Sequence, residues 1–70
     1  MELLIITTYD KKIASTITGT LELCFELVQS SRVSGKYEIS VMCDHVDCES
    51  IKQCLWGDYG QLVSSRVITE

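Results

Sequence analysis

Seventy residues leave room for one domain, read here as 1–70, whose core is marginal at this size. An apolar share of 46 % with no proline excludes a disordered or loop-rich chain. Ten acidic residues against six basic ones give a formal charge of −4, the wrong sign for direct contact with DNA, RNA or an anionic membrane surface and the right one for a basic protein partner.

The chain opens on Leu3-Leu4-Ile5-Ile6, a continuous apolar run ending in Thr7-Thr8-Tyr9. Such a run suits a strand covered on both faces, as in a parallel sheet with helices above and below. A basic start, a longer apolar stretch and a small-residue cleavage site are all missing here. The expected location is therefore cytoplasmic, with Cys24, Cys43, Cys48 and Cys54 reduced.

Residues 11 to 29 partition on a helical wheel. Lys11, Lys12, Ser15, Thr18, Gly19, Glu22, Glu26 and Gln29 take one arc, and Ile13, Ala14, Ile17, Leu21, Leu23, Cys24, Phe25, Leu27 and Val28 the other, with Thr16 and Thr20 as exceptions. The partition predicts a helix over 11–29 with Asp10 as its N-cap. Its rival is a hairpin of 21–33 with 36–43, closed by Ser34-Gly35. Tyr37 to Cys43 alternates and predicts a strand. Asp47 then caps a short helix over 48–56, whose stripe is Cys48, Ile51, Cys54 and Leu55, and Gly57 closes it. Leu62 to Ile68 reads as a last strand, placed at an edge by its serines and Arg66. The resulting expectation is α/β: a small β-α-β-α-β domain with a three-stranded sheet of parallel neighbours. The alternative is α+β, an antiparallel meander with one helix.

Three constellations carry chemistry. Cys43, His45, Cys48 and Cys54 bring thiols and the single imidazole within twelve residues, the ligand types of a zinc site, in a spacing that also fits core packing. Trp56 points away from the second helix's apolar stripe and, with Asp58 and Tyr59 in the turn that follows, reads as an aromatic anchor beside a charge. With the acidic helix face at Glu22 and Glu26 they form the candidate partner-binding set. Thr8, Tyr9 and Asp44 end the first two strands and would share a crevice if those strands were parallel.

The motif Leu4-Ile5-Ile6-Thr7-Thr8-Tyr9-Asp10, followed by a helix and by Tyr37-Glu38-Ile39-Ser40-Val41-Met42-Cys43-Asp44 with Asp47, resembles the opening of family-2-type (GT-A) glycosyltransferases. The resemblance implies a nucleotide pocket lined by Thr8, Tyr9 and Asp44. Cys43 stands where that family has the first of two paired aspartates, and His45-Val46 replaces Gly-Ser. No residues remain for the later metal motif or the catalytic base, so the resemblance implies at most a nucleotide-binding fragment.

No complete catalytic motif is present. The expectation is a small acidic binding module without cofactor, an inhibitor or adapter of the kind phages and mobile elements encode. Its expected partner is a basic protein, and a homodimer is compatible with an exposed edge strand. The alternatives are a nucleotide or nucleotide-sugar binder and a zinc-stabilised domain.

Overall fold

A computed structural model describes residues 1–69. The elements run β1 (Glu2–Thr8), α1 (Lys11–Glu22), β2 (Val28–Val33), β3 (Lys36–Cys43), α2 (His45–Tyr59), a short 3-10 turn (Gly60–Leu62) and β4 (Val63–Thr69). The strands form one sheet in the order β2-β3-β1-β4, with every neighbouring pair antiparallel. The class is α+β. The mixture of helix and strand agrees with the sequence reading, whereas the three-stranded parallel sheet does not. The meander with one helix also gives way, because there are two helices and β1 lies between β3 and β4.

The crossovers nevertheless do what β-α-β crossovers do. β1 and β2 point the same way, as do β3 and β4, but each parallel pair is split by an antiparallel strand. The hairpin closed by Ser34-Gly35, the rival to a helix over 11–29, supplies β3 to split the first pair, and β1 splits the second. Ser34 and Gly35 both have positive φ, 52° and 81°, the pair of conformations a two-residue type I′ turn requires. This turn fixes the register Val33↔Lys36 through Val28↔Val41.

The same hairpin explains why α1 stops at Glu22 rather than Gln29. Gly19 and three threonines lower helix propensity, and the Thr18 and Thr20 hydroxyls donate back to the carbonyls of Ala14 and Thr16. Leu23 then caps the helix, donating its N–H to the Thr20 carbonyl. Residues 28–33 gain a ladder of backbone hydrogen bonds with β3, which a marginal last helical turn does not match. At the start of α1 the expected cap is in place: the Asp10 carboxylate accepts from the N–H groups of Lys12 and Ile13 at 2.8 and 3.1 Å.

α2 begins at His45, three residues ahead of the expected start. Its N-cap is Asp44, which accepts from the Asp47 N–H at 2.9 Å, so Asp47 sits inside the first turn instead of before it. Gly57 is interior, and the cap falls at Gly60, whose φ of 58° suits glycine. β4 lies at an edge of the sheet, as Arg66 and the serines suggest.

Both helices cover one face, α1 above β2 and β3 and α2 above β1 and β4. Leu4, Ile6, Ile39, Val41 and Cys43 from the sheet meet Ala14, Ile17 and Leu21 from α1, and Cys48 and Leu55 from α2. The alternation of burial along β3 follows from this single covered face. No helix among the described residues is long and apolar enough to cross a membrane.

Candidate functional site

Thr8 and Asp44 do not share a crevice. The register sets Thr8 opposite Tyr37 and Glu2 opposite Cys43, so the end of β1 and the end of β3 lie at opposite ends of the sheet. Seven strand residues separate them by about 20 Å. Thr8 is also committed structurally. Its buried hydroxyl donates to the Leu62 carbonyl at 3.0 Å and accepts from the Asp10 N–H at 3.2 Å, tying β1 to the chain entering β4. Tyr9 is exposed and Asp44 is a helix cap. The nucleotide pocket implied by the transferase resemblance is therefore not brought together.

The cysteine–histidine cluster also divides. Cys43 and Cys48 lie side by side in the core with Sγ atoms 2.6 Å apart. His45 points outward and pairs through Nδ1 with the Glu2 carboxylate at 3.0 Å. Cys54 is exposed on α2. Among the described residues no three His, Cys, Asp or Glu side chains are placed to hold a metal ion. Burial pushes the Cys43 thiol up to about 12, helped by the hydrogen bond with Cys48 and by the charges of Cys48, Asp47 and Asp44. This makes Cys43 a poor nucleophile at neutral pH.

A pH dependence follows. The folded state holds the Cys43 proton to about 12, while the unfolded chain loses it near 9.0. Between those values the unfolded state binds fewer protons, so stability falls as pH rises from about 9, by up to about 1.4 kcal/mol per unit. Urea midpoints at neutral and alkaline pH check this. Cys43→Ala removes that part of the alkaline loss, and an unchanged alkaline loss in the variant contradicts the assignment.

The candidate partner-binding residues fall on two sides of α2. Trp56, 66 % exposed, borders a shallow hollow with Lys52, Gln61 and Ser64 toward β4. Asp58 and Tyr59 face the other way, into a groove between α1 and α2. Two residues along a helix turn the side chain by about 200°, which separates Trp56 from Asp58. Glu22 borders a third hollow, above β2, near Lys11 and Arg32. Glu26 is exposed in the α1–β2 connection.

The groove is the most apolar of these three hollows, about 480 Å³ in volume. Ile17, Leu21 and Phe25 form one wall, and Ile51, Leu55 and Tyr59 the other. Asp47, Ile51, Cys54 and Asp58 follow one stripe of α2, at steps of four, three and four residues. Two carboxylates and no Lys or Arg line it, so the groove is apolar at its floor and negative at both ends of one wall. Cys24 and Cys54 border it as free, exposed thiols. The helical spacing from Asp47 to Asp58 is visible in the sequence. Phe25 is not, because it enters the groove from the connection after α1 rather than from a continued helix. No family model matches the chain, and no curated protein and no solved structure matches it significantly.

Proposed function

We propose that this chain is a small, acidic, non-catalytic protein-binding module, an inhibitor or adapter that holds a basic segment of a partner protein in the groove between α1 and α2. One observation carries the reading: an open apolar groove whose only charged lining groups among the described residues are Asp47 and Asp58. An occupant matching it has an apolar anchor flanked by Lys or Arg, the helix-in-groove mode of recognition. A cytoplasmic setting, with the thiols reduced, goes with this reading. Trp56 belongs to a separate surface, so it does not anchor this groove.

The free thiols supply a test. N-ethylmaleimide reacts with the exposed Cys24 and Cys54 in the native protein and spares the buried Cys43 and Cys48. The expected result is that alkylated protein no longer retains the basic partner captured by untreated protein from host lysate, while its circular dichroism is unchanged. Capture that survives full alkylation of both exposed thiols, or that is indifferent to raising the salt concentration, rejects the groove.

A further inference from the structure

We propose that the uncovered face of the sheet is where two copies of this chain meet. Both helices lie on the face carrying Leu4, Ile6, Ile39 and Val41, and among the described residues no element covers the other. The register arranges that second face in cross-strand rows. One row reads Met42, Leu3, Ile68 across β3, β1 and β4, and Leu27 extends it, its carbonyl accepting from the Met42 N–H at 3.4 Å. Four apolar side chains thus stand in line at one end of an open face, with Leu27 and Ile68 well exposed. Two rows further along stand Glu38, Thr7 and Ser64, with Arg66 in the row between.

The charge distribution selects the occupant. A chain of charge −4 repels its own copy over most of its surface. Glu38 is the one carboxylate among the described residues at an open-face strand position, and Lys36 and Arg66 stand on the same face. Asp10, Glu22, Glu26, Asp44, Asp47, Glu49 and Asp58 all lie on the helices or their connections, away from it. A two-fold axis near the apolar row sets that row against itself and brings cations and Glu38 of the two copies into the same contact without stacking carboxylates. Single-stranded nucleic acid is a poorer match, since the open-face strand positions carry no aromatic ring on which a base would stack. One side of a body with 4854 Å² of surface offers on the order of 800 Å², the area per partner of an ordinary dimer.

The test is sedimentation equilibrium of the intact protein. The wild-type chain is expected to reach twice its 7.9 kDa mass at concentrations of about 0.1 mM and above. Ile68→Lys is expected to raise the dissociation constant at least tenfold with unchanged circular dichroism. Leu27→Lys, outside the sheet, gives the same loss if Ile68→Lys disturbs folding. In a mixed sample of labelled and unlabelled chains, intermolecular methyl contacts are expected between Met42 and Ile68. A wild-type chain that stays monomeric at millimolar concentration overturns the proposal, as does a dimer that persists in both variants. Alkylation of the groove thiols leaves the dimer mass unchanged, so failure of the groove reading and failure of this one are separable.

Discussion

Ile6→Ala is expected to bring the domain close to unfolding, among the largest effects of any single truncation. Ile6 is fully buried on an inner strand, opposite Ile39 on β3 and Ser65 on β4. Shortening a core isoleucine to alanine costs about 2–5 kcal/mol, the lost transfer energy plus the residual cavity. A chain of this length has a total stability of about 4–10 kcal/mol. The substitution therefore removes from a fifth to the whole of it. The urea midpoint is expected to fall steeply with little change in slope. Leu23→Ala is the control: the side chain is 88 % exposed, so the expected change is within about 0.5 kcal/mol. Equal losses in the two variants would mean that the core does not sit between this sheet face and the helices.

The sequence made part of this architecture legible because some segments satisfy their local chemistry alone. Leu3 to Ile6 is a continuous apolar run and Tyr37 to Cys43 alternates, and each forms an inner strand of the sheet. Asp10 is an N-cap by residue type and position. β2 is legible only through the rival hairpin closed by Ser34-Gly35, and for the opposite reason. At an edge, with five of its six residues exposed, Gln29-Ser30-Ser31-Arg32 carries no hydrophobic period, and Val28 continues the apolar arc of the preceding helix. Its strand state is dictated by the Ser34-Gly35 turn and by β3, a tertiary cause that helical periodicity does not register. Preferring a helix over 11–29 to that hairpin changes everything about direction. With β2 present, β3 runs antiparallel to β1, and Thr8 and Asp44 separate to opposite ends. The error at α2 was smaller and chemical. Asp44 and Asp47 are both capable caps three residues apart, and the earlier one adds almost a turn.

The candidate site was legible only in pieces. Asp58 and Tyr59, a polar–aromatic pair in the sequence, do border the groove, whereas Trp56, their neighbour in sequence, faces the far side of the helix. Cys54 was assigned to the buried stripe and borders the groove instead, because α2 covers the sheet with Cys48 and Leu55 and turns its neighbouring stripe toward α1.

Asp58→Lys is expected to separate binding from stability, moving them in opposite directions. Asp58 lies in the last turn of α2, where the unsatisfied carbonyls make a negative charge unfavourable, and that turn contains no basic residue. Lysine at this end of the helix interacts favourably with the dipole, so the melting temperature is expected to rise slightly, by an amount equivalent to a few tenths of a kcal/mol. The same change puts a cation in a groove that holds two carboxylates. Asp47 and Asp58 are eleven residues apart on one helix, about 16 Å, so a partner bridging both carries basic groups at that spacing. Loss of one attraction together with a new repulsion is expected to weaken binding by about tenfold at low salt and far less at high salt. A defined probe makes this measurable: an amphipathic peptide of lysine and leucine, titrated into labelled protein and followed by amide shifts of Leu21, Phe25, Ile51 and Tyr59. Asp47→Lys is the less informative variant, because Asp47 stabilises the start of α2 and its reversal lowers stability and binding together. A more stable Asp58→Lys protein with unimpaired peptide affinity would leave the groove without an electrostatic role. A more stable protein that has lost the peptide would mean that Asp58 is kept, against the preference of its own helix, for what the groove holds.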